Sequence, residues 1–157
     1  MSYIEYLYGI AEDKVMYFKT NRFYPDDKYL NYANKMICKK EIVSFDCGLF
    51  DLVGILDINL SSCEQIFAVI INPVKDKDYQ VDERFEFCGY DLCNDVISAI
   101  SNCGYEYVKA IDYEKLNKYG LINEYDIALN SLNKLRDIYP LESHADCDIV
   151  KLYRYCR

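Results

Sequence analysis

Along most of this chain apolar and polar residues recur with recognisable spacings. Gln65 to Asn72 reads Q-I-F-A-V-I-I-N, an unbroken apolar run rich in β-branched residues. A strand that is apolar on both faces belongs in the middle of a sheet, covered on each side. L-F-D-L-V-G-I-L-D-I (Leu49 to Ile58) is a second β-branched stretch, separated from the first by the turn L-S-S-C-E. R-F-E-F-C-G-Y-D-L (Arg84 to Leu92) alternates, with Phe85 and Phe87 on one side and Glu86 on the other, as a strand requires. D-I-V-K-L-Y-R-Y-C closes the chain with the same period. At the start, Y-I-E-Y-L-Y-G-I and V-M-Y-F-K (Val15 to Lys19) can form a hairpin across A-E-D-K.

The helical period appears in three places. After Pro25, Asp26 can cap a helix with Tyr29, Leu30, Ala33, Met36 and Ile37 on one face and Lys39 and Lys40 at its end. D-Y-E-K-L-N-K-Y-G offers Asp112 as an N-cap and Gly120 as a left-handed stop. Asn123 and Asp126 resemble a capping pair for the longest helix, striped by Tyr125, Ala128, Leu129, Leu132 and Leu135 and ended by Pro140. Strands set apart from helices, rather than strictly alternating with them, predict an α+β fold. The expectation is one domain over residues 1–157, a mostly antiparallel sheet with about three helices packed on it.

Composition narrows the function classes. The formal charge is −8 over 157 residues, so a phosphate backbone or an anionic membrane surface would repel the chain. A basic protein partner fits that charge better. The longest apolar run is far too short to span a bilayer, and M-S-Y-I-E-Y-L-Y has neither a basic n-region nor a cleavage site. Localisation is therefore expected to be cytoplasmic. The eight cysteines include no C-x-x-C pair and read as buried thiols in a reducing compartment. Seventeen tyrosines alongside abundant Asn, Ile and Lys have the look of AT-rich codon usage.

Two clusters carry candidate chemistry. S-H-A-D-C-D (Ser143 to Asp148) holds the one histidine, His144, beside Asp146, Cys147 and Asp148. With Cys103 of I-S-N-C-G-Y as nucleophile, His144 as base and Asp146 or Asp148 orienting the ring, it could serve a cysteine-dependent hydrolase. The alternative is a polar turn before the last strand. On a strand, His144, Asp146 and Asp148 would share a face, yet zinc wants more histidine or paired cysteine and calcium wants a glycine-turned oxygen loop. No metal site and no cofactor is predicted, and no glycine-rich phosphate loop is present. The second cluster is K-D-K-D-Y-Q-V-D-E-R-F-E, Lys75 to Glu86. There Asp76, Asp78, Asp82 and Glu83 could face a basic partner, with Tyr79 as an aromatic anchor.

Three further segments carry a resemblance. F-C-G-Y-D-L-C-N-D-V-I-S-A-I-S-N-C-G-Y, L-N-K-Y-G-L-I and Y-P-L-E-S-H-A-D-C-D-I-V-K-L-Y-R, within Phe87 to Arg154, look like small acidic bacterial cytosolic proteins. Those proteins are similar in size and charge to immunity proteins of polymorphic toxin systems. The resemblance implies a non-enzymatic inhibitor that neutralises a basic toxin or nuclease domain. A phage-encoded inhibitor of a host defence enzyme is the other inhibitor it would fit.

Overall fold

The computed structural model describes residues 12–21, 50–52, 64–94, 97–100 and 107–156. Among the described residues six strands form one sheet: β1 (Met16–Asn21), β2 (Phe50–Leu52), β3 (Glu64–Ile71), β4 (Phe85–Asn94), β5 (Ile97–Ser98) and β6 (Asp148–Tyr155). They lie in the order β2-β1-β3-β6-β4-β5, and each described pairing is antiparallel. The continuous apolar run lies in β3, between β1 and β6, with every side chain from Ile66 to Ile71 buried. Alternate β3 residues enter different clusters. Phe67, Val69 and Ile71 pack with Phe18, Val150, Leu152 and Leu121, whereas Ile66 and Ala68 pack with Phe85, Tyr17, Tyr153 and Tyr155.

The helices correct the sequence expectation. Among the described residues there is one α-helix, α1 (Tyr125–Ile138), instead of three. Residues 113–115 make only a single 3-10 turn where a capped helix was expected. The Asn117 side chain competes with helical hydrogen bonding there. Its Oδ1 accepts from the backbone N–H groups of Tyr119 and Leu121, and Gly120 turns at φ 73°. The helix expected after Pro25 and the hairpin strand expected near residues 3–10 lie outside the described residues, as does most of the stretch around β2.

α1 begins where expected, but its N-cap is Glu124 and no side chain caps it. Its buried positions are Ala128, Ser131, Leu132 and Leu135; Leu129 points outward. The buried stripe packs on Leu92 of β4 and Ile149 of β6. No helix among the described residues is long and apolar enough to cross a membrane.

One irregularity in β4 decides what the sheet displays. Phe87 pairs with Tyr153 and Gly89 with Leu152, so Cys88 is an extra residue on the β4 side, a β-bulge. Gly89 adopts φ 139°, a conformation side-chain-bearing residues rarely take. The segment after the 3-10 turn clasps the bulge from outside. Asn117 Nδ2 donates to the Cys88 carbonyl at 2.7 Å, and Tyr90 exchanges backbone hydrogen bonds of 2.7 and 3.0 Å with Ile122.

Candidate functional site

Without the bulge, Phe87 and Tyr90 would point to opposite faces of the sheet, since side chains alternate along a strand. The extra residue resets the alternation. Phe87 opposite Tyr153 and Tyr90 opposite Lys151 therefore share one face, because residues 151 and 153 are two apart on β6. The same face carries α1 on Ile149 and Leu92. Between the connection at residues 73–84 and the start of α1, that face stays open as a groove of about 300 Å³. Phe87, Tyr90 and Lys151 line its bottom, with Lys75 and Asp76 on one side and Asn123, Glu124, Tyr125 and Asp126 on the other.

The groove has an aromatic floor. Phe87 meets Tyr90 and Tyr153 edge-on at 5.6 and 5.5 Å, and Tyr90 meets Tyr125 at 6.0 Å, spacings typical of favourable ring pairs. Phe87 keeps 42 % of its surface in solvent, a large exposure for a phenylalanine on a strand. Burial raises the Tyr90 phenol above the usual tyrosine range despite the nearby Lys151 charge, so its hydroxyl stays protonated at neutral pH. Lys151 Nζ lies 5.5 Å from the Phe87 and Tyr153 ring centres, 5.7 Å from Tyr79 and 6.0 Å from Tyr90. Four rings within about 6 Å form an attractive cation–π environment. A salt bridge between Lys75 and Asp126, at 2.7 Å, joins the two walls.

The acidic residues expected to meet a partner fall into two groups. Asp76, Asp78 and Glu83 are exposed and form no ion pair among the described residues, and Asp76 lines the groove. Asp82 is occupied: its carboxylate accepts from Arg84 Nε at 2.8 Å and Nη2 at 3.0 Å, which holds the acid below its usual range. Tyr79 is held within the fold. Its hydroxyl bonds the Asp13 carboxylate and accepts from the Val74 N–H at 2.7 Å, while its ring faces Lys77 and Lys151. Burial and the Asp13 bond raise the Tyr79 phenol, and hydrogen bonds from Lys77 and Tyr79 lower Asp13. Tyr79 thus fastens the connection to the turn before β1.

The hydrolase constellation is not assembled by the described residues. Cys103 lies outside them. His144 and Asp146 sit in a 3-10 turn, Ser143–Asp146, and not on a strand, so the two do not share a face with Asp148 at the start of β6. His144 is buried at 6 % exposure with Nδ1 3.0 Å from the Tyr107 hydroxyl, whereas Asp146 is exposed. Neither Ser143 nor Asp146 is a capping side chain, because the turn is entered at Glu142 without a side-chain cap. The described residues hold no group of His, Cys, Asp and Glu that could bind a metal. Cys88, Cys93 and Cys147 are buried, and burial pushes the Cys88 thiol up to about 12, far from a reactive thiolate.

The sequence reading missed Phe87, Tyr90, Glu124 and Lys151. A signal was available in F-E-F-C-G-Y: a glycine inside an alternating run marks a bulge, and a bulge resets which residues share a face. Compared with known proteins, the chain matches no family model, no curated protein and no solved structure.

Proposed function

We infer that this protein is a non-enzymatic binding protein that docks a basic protein segment in the groove between the 73–84 connection and α1. The reading rests on one observation: an exposed aromatic floor flanked by two carboxylates, Asp76 and Glu124, that form no ion pair among the described residues. Phe87 supplies the apolar area a docking site needs at its centre. Asp76 and Glu124 stand on opposite sides of it, and Asp78 and Glu83 extend the same charge along the connection. Carboxylates that are not neutralised within the fold are available to steer and orient a cationic partner. A net charge of −8 acts in the same direction at longer range. A toxin or nuclease domain of basic character is the partner class this favours, and the protein would act as its inhibitor by covering it.

The test is association kinetics with a basic partner recovered from the native host, measured across ionic strengths. Asp76→Lys with Glu124→Lys should slow association at low salt by about tenfold and flatten its salt dependence. Phe87→Ala should instead speed dissociation. A partner whose binding ignores all three changes would show that docking occurs elsewhere.

A further inference from the structure

Two lysines line the groove and a third, Lys77, stands beside the same Tyr79 ring; two of the three are neutralised within the fold. Lys75 binds Asp126 at 2.7 Å and Lys77 binds Asp13 at 2.8 Å. Lys151 is different. It forms no ion pair or hydrogen bond among the described residues, although it sits on the groove floor between walls that carry Asp76 and Glu124. Four rings attract its ammonium but accept none of its N–H groups in the way a carboxylate would. A positive centre thus lies within a negative rim.

Any partner that covers the groove takes this ammonium out of water. Burying a charge without an acceptor is heavily unfavourable, so a tight occupant must bring one. A wholly basic segment would place like charge on Lys151. A neutral carbonyl would leave the charge uncompensated, and a phosphate dianion would be repelled by the rim. We propose that Lys151 is the receptor for a single Asp or Glu side chain of the partner, carried within a Lys/Arg-rich segment whose cations meet Asp76 and Glu124. This rests on the docking reading above and deepens it: the partner's binding element is of mixed charge, with the acid at the centre.

The test is selection of a random short-peptide library, its C-termini fused to the carrier, separately on the wild-type protein and on Lys151→Met and Lys151→Arg. Coincident thermal melts establish that the variants fold. The wild-type and Lys151→Arg pools should be rich in Lys and Arg around one fixed Asp or Glu, and the Lys151→Met pool should lose that acid. In the selected peptide, Glu→Gln should weaken calorimetric binding about tenfold on the wild-type protein and less than about twofold on Lys151→Met. The wild-type half of that comparison needs no change in the protein itself. Basic pools with no fixed acid, or with the same acid in the Met pool, would overturn the assignment to Lys151 and leave the docking reading standing. Pools without Lys/Arg enrichment, or no enrichment at all, would overturn the docking reading and this inference with it.

Discussion

Replacing Gly89 by alanine probes the bulge on which the groove depends. A Cβ at this position would lie 2.7 Å from Leu121 Cβ, 2.9 Å from the Ile122 carbonyl oxygen and 3.0 Å from Asn117 Nδ2. The first two are poorly placed to yield: Leu121 is buried at its own Cβ, and Ile122 is paired through its backbone with Tyr90. The backbone adds a second cost, because φ 139° is a region nearly restricted to glycine. Backbone strain of about 1–3 kcal/mol and overpacking of similar size combine to about 2–6 kcal/mol. For a chain of this length that corresponds to a fall in Tm of roughly 4–24 °C. Urea unfolding followed by circular dichroism measures the loss directly, with a lower midpoint and an unchanged slope. A loss below about 1 kcal/mol would show that β4 accommodates a side chain there, and the account of how Phe87 and Tyr90 come to share a face would fail with it.

Two other outcomes follow from the titrating groups. Glu86 accepts from the Tyr119 hydroxyl and from Arg154 Nη2, each at 2.8 Å, and these bonds hold its acid below the usual glutamate range. A lowered acid stabilises the fold above the ordinary carboxylate range and ceases to do so as pH falls through its depressed value. Glu86→Gln should therefore melt lower at neutral pH, by less than about 1 kcal/mol given its exposure, and the difference should vanish on acidification; a constant difference across pH would refute it. Among the four cysteines Cys88, Cys93, Cys147 and Cys156, only the last is exposed. Peptide mapping after brief iodoacetamide treatment should find Cys156 labelled before the other three, though slowly, because partial desolvation and the Glu86 carboxylate both raise its thiol. Faster labelling of Cys147, which is buried, would refute this order.

The strands that pair in the sheet were legible because their periods survive in the sequence: the apolar run of β3 and the alternation of β4 and β6 are local properties. The groove was legible only in fragments. Its rings come from residues 79, 87, 90, 125 and 153, and although the glycine of F-E-F-C-G-Y marks a bulge, only the pairing with β6 shows that Cys88 is the insertion and that Tyr90 joins the face of Phe87. The internal hold on Tyr79 was hidden for a related reason. Composition marks its surroundings as exposed and charged, but the bond that fixes it reaches back 66 positions to Asp13. At residues 112–120 the helical pattern was real but too brief: a few residues cannot nucleate a helix against an asparagine side chain that captures the neighbouring backbone donors.

The Lys75–Asp126 contact has a consequence for how varied an occupant the molecule can receive. Its two ends are 51 positions apart and both stand largely in water, so parting them disturbs neither the sheet nor the packing under α1. Releasing this clasp lets Lys75 swing away while the ring-lined bed below stays as it is. In the docking reading, breadth of fit would be set by a tether that is easily undone, and selectivity by an aromatic floor fixed on β4 and β6.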